Sequence, residues 1–262
     1  MLSPANFPGH SAAGIGQVPD FRYVGDVNFL LIHGGAHGAW CWDPLIRELK
    51  KRRHQGFALN LPGAEGNPTP PAQVTIEAYL HCTDAFLRKT KLRRFTLVGH
   101  SIAGFWLPNV AEKYAARIDE TIFLAAAVLA SGERGIDVIP KSRRTAYLAV
   151  ARKREPGLLP TFAEARRRFF NDMTISQSRA AFTRLTPQSV LPYLTPASIN
   201  PAALPGRKRY LLCRRDATFP PALARSFAAR LNVVPEELNA GHDVMLSNPR
   251  LLADHLFPSV QH

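Results

Sequence analysis

The segment Leu97–Gly104 constrains the fold of this chain more than any other stretch. In it an apolar run meets Gly99 and, two residues later, Ser101, after which an apolar segment of helical character begins. This is the pattern of a nucleophile elbow, a sharp strand-to-helix turn that projects a serine hydroxyl from its tip. The turn needs small residues two positions before and after the serine, and Gly99 and Ala103 are small. The pattern predicts Ser101 as a nucleophile. The alternative is a serine in an ordinary loop, since short motifs of this kind also arise by chance.

A nucleophilic serine needs a base to take its proton, and three histidines follow Ser101 in the chain. His262 is the last residue, and His255 lies in the segment 250–257, which is typical of a final helix. His242 lies in a turn-prone loop just before an apolar segment, from which a side chain can reach a site at the end of a sheet. We therefore predict His242 as the base.

The base in turn needs a carboxylate to orient it. The run Arg209–Cys213 predicts a short buried strand, and Asp216 follows it directly. A carboxylate at the carboxyl end of a parallel strand lies in the right layer for such a site. Asp243 and Asp137 are the alternatives, and Asp216 could also be no more than a turn or helix cap. We favour Asp216 as the acid.

The strand predicted at Asn28–Ile32 is followed by the glycine-rich stretch 33–38. Glycines let the backbone approach a ligand closely. We expect the amide of Gly35, together with that of Ile102, the residue after the serine, to form an oxyanion hole.

A metal site at His33, His37 and Cys41 is the competing interpretation of the same stretch. The intervening glycines argue against a helix that would place the three side chains on one face, and no fourth ligand lies nearby. We expect no metal and no organic cofactor.

The chain up to about residue 130 alternates between strand and helix patterns, which predicts a parallel sheet with helices on both faces. Strand patterns then disappear until Tyr210, and helical segments with prolines at their edges replace them. We therefore predict a mobile N-terminal extension at 1–25, an α/β core at 26–130 and 207–262, and an inserted helical cap at 131–206.

The predicted core elements are helices at 43–52, 76–89 and 102–115, the last with a kink at Pro108, and strands at 56–60, 94–98, 118–126 and 237–239.

The charge of the chain is strongly positive, with a formal net charge of +13. Residues 131–210 carry fifteen Lys and Arg against five Asp and Glu, which is most of that excess. A surface that binds anions or nucleic acid is one interpretation, and a solvated arginine-rich helical face is the other. The positive residues form clusters at Arg143-Arg144, Arg152-Lys153-Arg154, Arg166-Arg167-Arg168 and Arg207-Lys208-Arg209. Since no nucleic-acid motif or aromatic stacking platform accompanies these clusters, we expect no nucleic-acid partner.

Three widely spaced cysteines, Cys41, Cys82 and Cys213, suggest a reducing compartment rather than a disulfide framework. The first residues lack the basic start and apolar core of a secretion signal, and no apolar run is long enough to span a membrane. We expect a cytoplasmic protein that acts on a small molecule, and a homodimer is left open.

Several of these segments resemble the α/β-hydrolase fold, in particular the branch of plant methylesterases, the salicylate-binding esterase, hydroxynitrile lyases and bacterial esterase relatives. The run Ile32–Trp42 carries the most specific likeness, and Gly99-His100-Ser101 matches the elbow. Further likeness lies in the segments 59–63, 169–172, 184–188 and 241–249. The resemblance implies an α/β-hydrolase fold with a mostly parallel sheet and a cap. It also implies an esterase with Ser101 as nucleophile, His242 as base and Asp216 as acid.

Two positions depart from the hydroxynitrile lyases of this branch. Those lyases carry a threonine where this chain has Gly34, and a lysine where it has Asp243. The departures favour ester hydrolysis, and a lyase or a non-hydrolytic ligand-binding relative is the alternative. For the substrate pocket we expect an apolar lining, with these candidate residues: Gly34, Phe105, Trp106, Phe162, Tyr193 and Met245.

Overall fold

The core of the protein is a six-stranded sheet whose paired strands all run parallel. The structure, a computed structural model, describes residues 26–153 and 157–257. The strand order is β2-β1-β3-β4-β5-β6. This architecture confirms the predicted α/β-hydrolase fold, and the sheet is parallel throughout rather than mostly parallel. The strands are β1 Asn28–Ile32, β2 Gln55–Leu59, β3 Phe95–His100, β4 Ile118–Leu124, β5 Arg207–Cys213 and β6 Glu236–Leu238.

Helices cover both faces of the sheet. They are α1 Asp43–Lys51, α2 Ile76–Thr90, α3 Leu107–Lys113, α4 Gly135–Val138, α5 Lys141–Lys153, α6 Phe162–Arg168, α7 Ile175–Phe182, α8 Leu191–Leu194, α9 Pro221–Arg230, α10 Val244–Ser247 and α11 Pro249–Leu256. Short 3-10 helices lie at Ala39–Trp42, Pro71–Gln73, Ser101–Phe105, Ala115–Arg117 and Pro201–Ala203.

Strand β1 shows how the two faces divide the core. Successive side chains of a strand point to opposite faces. Leu30 and Ile32 accordingly join the apolar cluster formed with α2, α3 and α9, whereas Phe29 and Leu31 join the cluster formed with α1 and α11. Burial of both faces explains why β1 is a nearly continuous apolar run rather than an alternating one.

The helix predicted at 102–115 is instead two elements. A 3-10 helix runs over Ser101–Phe105, and α3 begins at Leu107 with Pro108 in its first turn. Proline lacks an N–H, which is tolerated in the first turn, where no intrahelical acceptor is available. Pro108 therefore begins a helix rather than kinking one. The bounds of the other predicted core elements agree with the structure to within two residues.

Five helices, α4 to α8, lie between β4 and β5, in the segment for which a cap was predicted. They contribute to both apolar clusters: Ile139, Tyr147 and Tyr193 to one, Phe169 and Phe170 to the other. The domain division at 131 and 206 stays a prediction, and the extension predicted at 1–25 lies outside the described residues.

All three cysteines are free thiols, and Cys41 and Cys213 are buried. Within residues 26–153 and 157–257, no helix has the length and apolar character needed to cross a membrane.

Candidate active site

Ser101 lies at the tip of a tight turn between β3 and the following 3-10 helix. Its φ is 57°, in the left-handed region that residues with a side chain rarely adopt. Small neighbours make the turn possible. A Cβ on Gly99 would lie 2.7 Å from the Leu107 side chain, and one on Gly104 would overlap the carbonyl oxygen of Ala127. The structure thus has the predicted elbow geometry. Sequence reasoning attributed it to Gly99 and Ala103 and gave Gly104 no role.

The ring of His242 lies between Ser101 and Asp216. Its Nδ1 is 2.7 Å from Asp216 Oδ2, and its Nε2 is 3.0 Å from Ser101 Oγ. A carboxylate only accepts, so Nδ1 carries the proton and Nε2 is left to accept one from the serine hydroxyl. The three side chains are buried. Ser101 follows β3, Asp216 follows β5 and His242 follows β6. The carboxyl ends of these strands meet at one edge of the parallel sheet.

Asp216 is held rigidly by the turn that follows β5. Its Oδ1 accepts hydrogen bonds from the backbone N–H groups of Thr218, at 2.6 Å, and Phe219, at 2.9 Å. Both carboxylate oxygens are therefore engaged, and Oδ2 faces His242.

The two alternative carboxylates lie elsewhere. Asp137 is partly exposed and pairs with Arg134 in the first turn of α4. Asp243 is fully buried and accepts from His37 Nε2 at 2.8 Å. Of the two alternative histidines, His255 hydrogen-bonds within α11, and His262 lies outside the described residues.

His37 and His100 pack around the same buried region. The Nε2 of His100 is 3.1 Å from the carbonyl oxygen of His242 and 3.8 Å from Asp243 Oδ1. Burial and the nearby charge of His242 hold the pKa of His100 well below its usual range, so this ring is neutral. A neutral His100 donates from Nε2 to the His242 carbonyl and thereby fixes the backbone of the histidine loop.

His33 and His37 have structural partners rather than a shared metal geometry. His33 Nε2 accepts from the Leu61 N–H at 3.2 Å, so its Nδ1 donates to the Gly34 carbonyl at 2.8 Å. Burial lowers the pKa of His33 to about 4. In the described part of the chain, the group with metal-ligand geometry is His100, His242 and Asp243. A metal there would compete with the hydrogen bonds of His242 to Ser101 and Asp216.

A cavity of about 150 Å³ opens beside Ser101 and His242. Gly35 and Ile102 line it next to the serine, and a Cβ on Gly35 would come 3.0 Å from Ile102 Cδ1. Gln188 fixes this loop, since its Oε1 accepts from the Ala36 N–H at 3.0 Å. The two backbone segments predicted to hold an oxyanion thus lie together at the serine.

Of the residues predicted to line the pocket, Tyr193 lines this cavity within the described part of the chain, and the structure places the others elsewhere. Phe105 packs behind Tyr193, and Trp106 packs on Tyr79. Phe162 contacts Phe182. Met245 is fully buried in the apolar cluster formed with α1 and α11, and a Cβ on Gly34 would lie 2.7 Å from Ser101 Cβ. Phe105, Trp106 and Met245 thus belong to the apolar core, because packing between elements, which no local pattern reveals, turns them away from the cavity.

Sequence reasoning missed most of the residues that line the cavity from the helices between β4 and β5. They are Ile139, Arg143, Ala146, Tyr147, Leu158, Leu159, Pro160, Glu164, Arg168, Phe169 and Gln188. The clusters Arg143-Arg144 and Arg166-Arg167-Arg168 were the one available signal, and the sequence left open whether they bind anions or face solvent.

The chain is similar in sequence to plant esterases. A probable esterase from rice, PIR7A, is 32% identical over 111 residues, which cover 42% of each chain. A putative chloroplastic methylesterase 13 from Arabidopsis thaliana is 28% identical over 177 residues, 63% of this chain and 38% of the relative. The chain thus spans less than half the length of these curated relatives.

The fold matches solved structures over most of the chain. An extracellular α/β-hydrolase from a Paenibacillus species, described as a homologue of tobacco salicylic acid binding protein 2, superposes with a TM-score of 0.80 at 21% identity. That match covers 90% of this chain and 100% of the other. The methylesterase MES16 from Arabidopsis superposes with a TM-score of 0.72 at 20% identity, covering 89% and 98%. The profile of the alpha/beta hydrolase family matches residues 29–255. With its parallel sheet, its elbow and its Ser–His–Asp arrangement, this chain belongs to the alpha/beta hydrolase family and resembles the plant methylesterases and their bacterial relatives.

Proposed function

We propose that the protein is a serine esterase that cleaves carboxylic esters of small, largely apolar molecules through an acyl-enzyme. The observation that carries the proposal is the hydrogen-bonded series Asp216–His242–Ser101, with distances of 2.7 and 3.0 Å, at the end of a strained elbow. The esterases among the relatives support the same reaction class.

In the proposed reaction Ser101 Oγ attacks the ester carbonyl while His242 Nε2 takes the hydroxyl proton. Asp216 holds the protonated imidazole in orientation through Nδ1. The amides of Gly35 and Ile102 donate to the developing oxyanion. His242 then protonates the departing alcohol, and a water activated in the same way hydrolyses the acyl-enzyme.

A fluorophosphonate probe tests the proposal directly, because it reacts with activated serines. We expect stoichiometric labelling, mapped by peptide mass spectrometry to Ser101, and turnover of aryl or alkyl esters of graded chain length. An unlabelled wild-type protein would overturn the proposed function. Labelling with negligible turnover of every ester would instead indicate a ligand-binding relative that keeps the three residues.

A further inference from the structure

The end of the cavity formed by α5 and α6 carries two arginines. Arg143 and Arg168 both line the cavity that Ser101 and His242 line. In residues 26–153 and 157–257 neither guanidinium forms an ion pair with a carboxylate. Glu164 also lines the cavity, but its carboxylate caps α6 and accepts from Thr161 N at 2.8 Å and from Thr161 Oγ1 at 2.9 Å.

Arg168 holds a buried donor without an acceptor. Its Nε has no hydrogen-bond partner, although the atom is buried, and the guanidinium lies 4.8 Å from the centre of the Phe169 ring. Burial, together with the charge of Arg143, lowers the pKa of Arg168. Buried donors nearly always have partners, and an unpaired buried charge is costly. A negatively charged acceptor at this place would relieve both costs.

Phe169 connects the arginine end to the catalytic histidine. The Phe169 ring that carries Arg168 on one side stacks on His242, with centroids 5.8 Å apart and planes at 27°. The hydroxyl-bearing rings of Tyr147 and Tyr193 pack 4.6 Å apart and also line the cavity. Apolar side chains such as Leu158 and Leu159 complete the walls. The site thus combines an apolar middle, a nucleophile at one end and a cationic group at the other.

We propose that the preferred ester is an apolar molecule that carries a carboxylate remote from the ester bond, held by Arg168 with Arg143 beside it. A guanidinium presents paired N–H donors that match the two oxygens of a carboxylate. The proposal rests on the proposed function for the hydrolysed bond. It adds that Arg168 determines specificity and that the otherwise apolar substrate carries a negative charge.

Matched ester pairs test the charge preference. Monomethyl adipate against methyl heptanoate places the charge on the acyl side, and para-acetoxybenzoate against para-isopropylphenyl acetate places it on the alcohol side. We expect wild-type kcat/KM for the anionic member of one pair to exceed that for its neutral partner about tenfold or more, mainly through KM. The pair that shows the preference identifies which side of the ester faces Arg168.

Variants then assign the preference to a residue. Arg168→Met keeps an unbranched side chain but removes the guanidinium and its charge, and we expect it to abolish the preference for anionic over neutral esters. Arg168→Lys restores part of the ratio, because it keeps the charge without the fork. Arg167→Met, on the same helix but exposed and outside the cavity lining, is the control and keeps the wild-type ratio.

A binding measurement separates this proposal from the proposed function. Calorimetry with Ser101→Ala and each anionic ester, monomethyl adipate and para-acetoxybenzoate, needs no catalysis, and we expect the affinity for at least one of them to fall about tenfold or more when Arg168→Met is added. Absence of charge preference in an active wild-type enzyme, or equal affinity of the two proteins for both esters, would overturn the carboxylate site and leave the esterase standing. If binding depends on Arg168 but the wild-type protein is not labelled by the fluorophosphonate, the esterase proposal is overturned and the carboxylate site stands.

Discussion

His37 and Asp243 form an ion pair inside the protein, with Nε2 and Oδ2 2.8 Å apart and side chains 1% and 0% exposed. The other ring nitrogen of His37 faces the carbonyl oxygen of Gly35 at 2.8 Å, so both nitrogens meet acceptors and both carry protons. Burial alone would lower the pKa of His37, but the charge of Asp243, its hydrogen bond to His37 and the hydrogen bond to Gly35 together outweigh burial, and the pKa is raised. Burial would likewise raise the pKa of Asp243, yet His37 holds it below its usual value. The pair joins the Gly35 loop to the residue that follows His242.

The three candidate carboxylates are expected to respond differently to amidation. Asp216→Asn removes the acceptor that fixes the His242 tautomer, and we expect kcat to fall by about 10⁴. Asp243→Asn leaves His37 without its counter-charge, so it lowers the free energy of unfolding by about 3 kcal/mol and reduces activity far less. Asp137→Asn, at the partly exposed Arg134 pair, changes neither property appreciably. Ester hydrolysis and urea unfolding at one pH measure all three.

If Asp243→Asn or Asp137→Asn were the inactive variant, the assignment of Asp216 as the acid would be wrong.

Ser101→Ala is expected to reduce turnover of a simple aryl ester by about 10⁴ or more, because no other group can form the acyl-enzyme. The fold persists, and circular dichroism checks this. Ser226→Ala, an exposed position on α9, is the matched control and keeps full activity. More than a tenth of wild-type activity in Ser101→Ala would exclude Ser101 as the nucleophile.

Gly104→Ala tests the tight elbow. The new methyl group would overlap the Ala127 carbonyl oxygen, which is backbone and cannot move aside cheaply. We expect a loss of about 3 kcal/mol in unfolding free energy, the upper end for overpacking. At Gly132, where φ is 82° and no atom lies within 4 Å of an added Cβ, the same substitution costs only the left-handed strain, about 1–2 kcal/mol. Equal losses in the two variants would contradict the steric explanation.

The pKa of His33 predicts a pH dependence of stability. The unfolded chain binds a proton at this residue below about pH 6.5, whereas the folded protein does so only near pH 4. The contribution of His33 to the free energy of unfolding is therefore fully present above about pH 6.5. It falls by about 1.4 kcal/mol per pH unit as the pH drops from about 6.5 to about 4. In His33→Gln this contribution disappears, so denaturant unfolding from pH 4 to 7 should show a shallower slope. His81→Gln, exposed on α2, is the control, and identical slopes for His33→Gln and wild type would refute the interpretation.

Cleavage of cyanohydrins is expected to be negligible. Gly34 supplies no hydroxyl for the substrate, and its neighbour Ser101 leaves no room for a larger side chain. A carboxylate beside the leaving cyanide would repel it, but the structure places Asp243 against His37, outside the cavity lining. The reason is therefore the missing lysine rather than a repelling charge. Release of benzaldehyde from mandelonitrile above the Ser101→Ala background, at a rate comparable with ester turnover, would restore the lyase.

Local patterns in the sequence were enough to predict the parallel α/β fold and to identify Ser101, His242 and Asp216 as candidates. The elbow demands small residues at fixed spacing, and the carboxyl ends of parallel strands all lie at one edge, so chain order alone brings the residues after β3, β5 and β6 together. Their catalytic roles stay predictions until the variants are measured.

Only the tertiary structure decided which carboxylate meets which histidine and which side chains line the cavity. Asp216 and Asp243 were both reasonable partners in sequence, and packing assigns the first to His242 and the second to His37. Phe105 and Trp106, expected in the pocket, pack into the core instead, whereas Arg143 and Arg168 line the cavity. The physical reason is that these directions depend on how helices between β4 and β5 pack against elements distant in the chain, and no local periodicity encodes that packing.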